Sequence, residues 1–362
     1  MRAVTRKQVL GFRLRAQQLD RDAGSLDETA VLDLGVQDTG QDGGLWALAI
    51  RGVESPPGDA LSTVWTIRGA PHLYRRGDLP AVAVATSPFS DADAGKRIFT
   101  AAQPLKAAGI PNLAALDTVA GAMREIVTAP MVKGEMSTRL SAVLPEPYLR
   151  FCVPCNAIHS HEQTFRLSAL RAGLELQPGT SPPVLQPIAG FEPATTAPER
   201  LDVVRAYLRL LGPATPKLVA GYLDAPVKDV QARWPDDVAE VDVEGERRWL
   251  LAEDADRPDD PPAATRLLGP FDLYLQARDR SLLVDDTARA KELWRTLGRP
   301  GGVLAGGEIV GTWRARKSGS ALTVSVDLWA PVPPSVRTAI GEQAERLAAF
   351  RQLALKGLEI TT

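Results

Sequence analysis

The stretch that decides the fold is DVVRAYLRLLGPATPKLVAGYLDAPVKDVQARW, residues 202–234, which runs on into VAEVDVEGERRWLLAED, residues 238–254. Leu and Val at helical spacing stop at Gly212-Pro213, a pair that cannot continue a helix. Thr215 then caps a new start at Pro216-Lys217-Leu218, because proline is tolerated where no intrahelical N–H is needed. Gly221 to Pro226 turns the chain, and a third helix follows from Val227. Alternating residues then make two strands around Glu244-Gly245, a sequence suited to a tight hairpin turn. Three short helices and a hairpin in that order spell a winged helix.

The same grammar occurs earlier. ALDTVAGAMREIVTAPMVKGEMSTRLSAVL (115–144) reads as a helix, a break near Ala129-Pro130, and a second helix starting near Gly134. Its opening residues Lys133, Thr138 and Arg139 stand where a helix–turn–helix presents side chains to DNA. Lys217, Lys228, Gln231 and Arg233 occupy comparable places in the later unit. Winged helices also serve as protein-interaction modules, so these residues admit both readings.

Around these units the chain supplies a Thr5-capped amphipathic helix (5–19), a breaker cluster SPPG (55–58), and a strand opening LSTVWTIRGAPHLYRR (61–76) that stops at Gly69-Ala70-Pro71. A helical stretch at 91–108, a linker DRPDDPPA (256–263), a β-hairpin over 301–329 turning at Lys317–Ser320, and a C-terminal amphipathic helix complete it. The fold class is α+β, with winged-helix units and a small C-terminal β element. The expected divisions are 1–85, 86–195, 196–258 and a barrel-like or hairpin segment with its terminal helix at 259–362.

Composition narrows the function. With 44% hydrophobic and 24% charged residues the chain is an ordinary globular protein. A net charge of −2 and a pI near 6.0 mean that nucleic-acid binding must rest on local basic surfaces. No apolar run approaches the roughly 20 residues that span a bilayer, and the basic N-terminus lacks a signal-peptide core. A cytoplasmic location with no membrane partner is expected.

The polar knot Gln37-Asp38-Thr39-Gly40-Gln41-Asp42 interrupts two apolar runs, the first readable as a buried turn or strand and the second as a strand. A turn needs Gly and Asp, but it does not need two glutamines, and the knot is therefore a candidate site. Arg68 to Arg76 is a second candidate, with Arg68, Arg75 and Arg76 available to phosphates and His72 to a substrate, or else a solvated loop. Arg314, Arg316 and Lys317 crowd the tip of the 301–329 hairpin, as a groove-tracking ribbon or as an ordinary charged turn. Cys152, Cys155, His159 and His161 have zinc-ligand chemistry. Buried thiols and loop histidines are the other reading, and no cofactor is expected. No phosphate-binding glycine loop, dinucleotide fingerprint or nucleophile elbow is present.

The order of these stretches resembles one family: RKQVLGFRLRAQQL, LGVQDTG with LWALAIRG, VWTIRGAPHLY, VKGEMSTRL, PCNAIHSHEQTFRLSAL, LRLLGPATPKLVAGYL, FDLYLQARDR and GEIVGTWR. They are similar to the winged-helix DNA glycosylases typified by AlkZ and YcaQ, from residue 5 to about 330. The resemblance implies tandem winged helices in a C shape around duplex DNA, and monomeric action is expected because one chain supplies several DNA-binding units. It implies a monofunctional glycosylase that excises alkylated or bulky, crosslinked purines, in base excision repair or in self-resistance to a DNA-alkylating natural product. A non-catalytic winged-helix regulator is the alternative. The family's catalytic motif is Gln-x-Gln or Gln-x-Asp. The matching place is Gln37-Asp38-Thr39, which keeps the first Gln and departs at the third residue, so Asp38 or Thr39 takes over that role.

Chemistry agrees with an amide-rich site. A purine alkylated at N7 or N3 carries positive charge, which weakens its glycosidic bond, so no strong acid is required to expel it. The site must hold water and stabilise a developing sugar cation. The knot has no lysine, which argues against Schiff-base lyase chemistry.

Overall fold

Residues 2–257 and 259–362 are described in a computed structural model. Pro258, inside the expected 256–263 linker, lies outside the described residues. The architecture is α+β. Its contacts group into two units, one of Met1–Pro56, Arg205–Leu218 and Pro235–Thr362, the other of Pro57–Val204 and Val219–Trp234. Of the four expected segments, 86–195 falls in the second unit and 259–362 in the first, while 1–85 and 196–258 each contribute to both.

In the first unit, helix Arg6–Ala16 begins at Thr5 in a reciprocal cap: Gln8 N–H donates to Thr5 Oγ1 at 3.2 Å and Thr5 N–H to Gln8 Oε1 at 3.0 Å. Two otherwise orphaned N–H groups are thereby satisfied, worth about 1 kcal/mol per cap. The helix buries Val9, Leu10, Phe12 and Leu14, with the guanidinium of Arg13 among them. Strand Arg2–Val4 lies parallel to Val238–Val243, which turns at Glu244-Gly245 into Glu246–Leu251. Both turn residues have positive φ, 52° and 86°, as a two-residue hairpin of this twist requires.

A second sheet of this unit runs Thr265–Leu268, Gly301–Ala305, Glu308–Ser318, Ala321–Leu328 and Ala354–Thr361 in sequence order. All pairings are antiparallel except the last, which helix Pro334–Phe350 makes parallel by crossing over. The sheet is open, with no barrel closure among the described residues. The expected hairpin is therefore part of a larger meander, because Gly306-Gly307 supplies a further turn with φ of 54° and 82°. The last strand was hidden in the sequence because half of ALKGLEIT is exposed at a sheet edge.

Buried charge ties the first unit together. Arg13 forks onto Asp279 at 3.0 and 2.7 Å, its Nε donates to the Gly212 carbonyl at 3.0 Å, and Arg248 reaches the same carboxylate. Burial alone would push the Asp279 carboxyl up, but Arg13 and Arg248 outweigh it and hold it below the usual carboxylate range. Arg51 pairs with Asp272 at 2.7 and 2.9 Å in the same manner. Breaking such a pair from one side leaves an uncompensated buried charge, at roughly 3–5 kcal/mol.

In the second unit, strands Leu61–Trp65 and Pro71–Arg75 are antiparallel, with Trp65 opposite Pro71. The sequence stops at Gly69-Ala70-Pro71 were therefore the turn of a hairpin and not its end. Pro71 is admissible as the first residue of its strand. Leu174–Leu176, Val184–Pro187 and Met131–Val132 extend the sheet. Helices Asn112–Ile126, Lys133–Val143 and Glu162–Ala169 pack Leu116, Val119, Met123, Met136, Leu140 and Phe165 into one core. A two-stranded hairpin, Leu149–Cys152 with Ala157–Ser160, follows the helix pair. The three helices expected in 202–234 are present as Val203–Leu211, Pro216–Leu223 and Val227–Gln231.

Candidate active site

The knot is held in the first unit by what flanks it. Strand Val36–Gln37 enters it, and helix Gly43–Ala49 leaves it. The second apolar run is thus a helix and not the expected strand. Short apolar runs carry no period, and this helix buries Trp46, Ala47, Leu48 and Ala49 on all sides. Asp42 opens the helix with φ of 56°, a left-handed conformation that aspartate tolerates.

Hydrogen-bond partners separate the three candidate residues. Gln37 Nε2 donates to Thr39 Oγ1 at 3.0 Å, two residues on and on the same side. Asp38 instead accepts the Gly44 N–H at 2.9 Å. Burial is the main influence on the Asp38 carboxyl and pushes it above its ordinary range, against the Gly44 hydrogen bond. Asp38 is therefore an anchor for the start of the following helix, while Thr39 faces Gln37.

Gln276 completes the row. Its Nε2 donates to Gln37 Oε1 at 3.0 Å and to the Phe271 carbonyl at 3.2 Å. Because an amide nitrogen donates only, Gln276 fixes which end of the Gln37 amide is oxygen. Sequence reading missed Gln276. Its signal was the unexplained polar residue inside FDLYLQARDR, 239 positions from its partner.

Thr39, Gly40, Gln41 and Gly43 line a cavity of about 260 Å³ together with Trp46, Trp313, Arg299, Arg314 and Arg351. Trp46 and Trp313 are fixed through Nε1 to the carbonyls of Leu267 and Leu268 at 2.7 and 2.8 Å. Arg314 is exposed, with one nitrogen on the Gly298 carbonyl at 2.8 Å. Arg299 lies over the Phe271 ring at 4.5 Å. Arg351 stands 3.7 Å from Asp42, and its Nε is buried with no hydrogen-bond partner among the described residues. Arginines converging beside two amides and a hydroxyl suit an anionic backbone with a neutral reacting centre.

Other candidates fall elsewhere. His72 is buried at 1% exposure, its Nδ1 against Thr66 Oγ1 at 3.1 Å and the Ala70 carbonyl at 2.9 Å. Burial, helped by Arg68, lowers it to about 3, so the ring is neutral and structural where a surface contact was expected. Arg68 donates to the Tyr222 carbonyl at 2.6 Å and stacks on that ring at 4.7 Å. Lys133 pairs with Glu162 at 2.7 Å, Arg139 with Glu135 at 2.6 Å, and the Thr138 hydroxyl donates to the Gly134 carbonyl at 3.1 Å. Arg316 and Lys317 are exposed beyond Arg314.

A family described as DNA glycosylase AlkZ-like matches residues 55–350. The chain belongs to the AlkZ-like DNA glycosylases. Part of this AlkZ-like chain is 33% identical over 135 residues to an interstrand DNA cross-link repair glycosylase of Streptomyces sahachiroi. That alignment spans 34% of this chain and 35% of the relative. The fold is similar to that of the Streptomyces sahachiroi DNA glycosylase AlkZ, with a TM-score of 0.74 at 20% identity over the whole of both chains. The family match begins after the knot, so in this AlkZ-like chain the case for Gln37 stands on geometry. Gln276, Arg299 and Arg314 lie within the matched stretch.

Proposed function

We propose that this AlkZ-like chain is a monofunctional glycosylase that hydrolyses the N-glycosidic bond of alkylated or bulky, crosslinked purines in duplex DNA. The observation that carries this reading is the row Gln276–Gln37–Thr39, ordered by two hydrogen bonds of 3.0 Å beside an arginine-lined cavity. Thr39 Oγ1 accepts from Gln37, so its own proton is turned elsewhere, and the hydroxyl keeps a lone pair that can accept from water. Gln37 orients that hydroxyl, and its amide oxygen supplies partial negative charge where the sugar cation develops. The cationic leaving base requires no acid. Arg314, Arg316 and Lys317 grip phosphates along the same sheet. The tandem winged-helix reading of the α+β fold and its four segments goes with this proposal, as does monomeric action in repair or self-resistance. A regulator has no use for an ordered amide row, which disfavours that alternative.

Base release from N7-alkylguanine duplexes, methyl and bulky adducts side by side, tests the reading. Wild type should release free adducted base and leave an abasic site, and a folded Gln37→Ala protein that still binds DNA should not. Tight binding of undamaged duplex with no release from either substrate would replace the enzyme by the regulator.

A further inference from the structure

The hairpin Leu149–Cys152/Ala157–Ser160 is poorly supported by packing. Phe151, Val153 and Ile158 are 59%, 79% and 59% exposed, and a two-stranded hairpin is marginal in water without a core. Both cysteines of the chain are nevertheless here, three positions apart, with His159 four residues further on. The register sets Cys152 opposite Ala157 and Arg150 opposite His159. Cys152 and His159 therefore share a face as diagonal neighbours. The turn between the strands is closed by Asn156 N–H on the Val153 carbonyl at 3.2 Å, with Asn156 at φ of 46°. That turn brings the Cys155 sulfur back to within 4.8 Å of the Cys152 sulfur.

We propose that Cys152, Cys155 and His159 bind a zinc ion at this hairpin. Their donor atoms all lie within 4.8 Å of one another. Zn–S bonds near 2.3 Å and Zn–N bonds near 2.0–2.1 Å set tetrahedral donors roughly 3.5–3.8 Å apart. Small side-chain rotations close that difference. Two thiolates and an imidazole select zinc over magnesium or calcium. Binding would displace the thiol protons to solvent, and the fourth position would be taken by water. His161, the remaining histidine of the motif, is not among these donors. It is buried at the foot of the hairpin, with its N–H on the Tyr148 carbonyl at 3.2 Å.

Titration of the reduced, metal-stripped full-length protein with Co²⁺ reads the site directly. One equivalent should produce tetrahedral ligand-field bands with thiolate-to-cobalt charge transfer, and Zn²⁺ should abolish them. The bands should vanish in the Cys152→Ser/Cys155→Ser protein, weaken at least tenfold in affinity in His159→Ala, and persist in His161→Ala. Circular dichroism of each variant keeps loss of folding separate from loss of ligands. Absence of charge transfer in reduced wild type overturns the proposal, as does a spectrum that survives in the double variant. Cysteines isolated as a disulfide that take up no cobalt after reduction would make the pair a redox couple instead.

Discussion

Gln276 donates its amide hydrogen to the carbonyl oxygen of Gln37 at 3.0 Å, and so sets the direction of the Gln37 amide from 239 residues away. Gln276→Glu keeps the size of the side chain but can only accept. The Gln37 amide would then turn its nitrogen toward position 276 and its oxygen toward Thr39. The expected outcome is a fall in kcat of about tenfold with KM nearly unchanged, since orientation and not binding is lost. Gln37→Ala should cost on the order of 10²–10³ in kcat, as removal of one preorganised polar group does elsewhere. Single-turnover base release measures both. Equal effects of Gln276→Glu on kcat and KM would sink the positioning role.

Asp38 and Thr39 differ in their hydrogen-bond partners. Thr39→Val removes the hydroxyl that faces Gln37 and should lower kcat tenfold or more while leaving the melting temperature close to wild type. Asp38→Ala removes the acceptor of the Gly44 N–H and should cost about 1 kcal/mol of stability, as loss of a cap does. Its activity at a permissive temperature should change less than that of Thr39→Val. Denaturant melts with parallel rate measurements decide, and the reverse pattern would return the role to Asp38.

Phosphate contacts are read by salt. If Arg314, Arg316 and Lys317 each neutralise one phosphate, alanine at each position should flatten the log Kd against log salt slope by about one. Duplex binding between roughly 50 and 200 mM salt measures this. An unchanged slope in the Arg316→Ala/Lys317→Ala protein would leave these side chains as a solvated turn.

Gly301 has no room for a methyl group. A Cβ there would meet Trp313 Nε1 at 2.2 Å and the Leu268 carbonyl at 2.4 Å. Gly301→Ala should break the Trp313–Leu268 hydrogen bond, destabilise by about 1–3 kcal/mol, and disturb the cavity wall. Tryptophan fluorescence and thermal melts check this; unchanged values in both would mean the wall yields.

His72 gives the stability an acid limb. Its folded value of about 3 lies below the ordinary 6.5, so between these values the unfolded chain binds the extra proton. This contribution is fully present above pH 6.5 and is lost as pH falls toward 3. His72→Gln should be less stable than wild type at pH 7 and show a smaller decline in urea midpoint between pH 7 and 4.5.

How far the sequence could be read follows from where its information lies. Gly212-Pro213, Thr215-Pro216 and Glu244-Gly245 are local punctuation, and each of the elements they bound was found. Trp46 and its neighbours are apolar on every side, so period could not separate helix from strand. Pro71 looked like an end because a proline opening a second strand and one closing a first are the same letter. The Gln37–Thr39 pairing joins neighbours in sequence and was within reach of local reading. Gln276 was not, because nothing local to FDLYLQARDR refers to position 37. The burial of His72 depends on a turn that the sequence reading ended too early.

The Asp38–Gly44 hydrogen bond has a bearing on substrate choice. It clasps the loop to a buried helix, so the amide row is formed without a bound lesion and needs no induced closure to assemble it. Selection then falls to the lesion's own chemistry. Across a series of N7 adducts of different bulk, excision rates should track how readily each base departs unaided and should be nearly indifferent to its size.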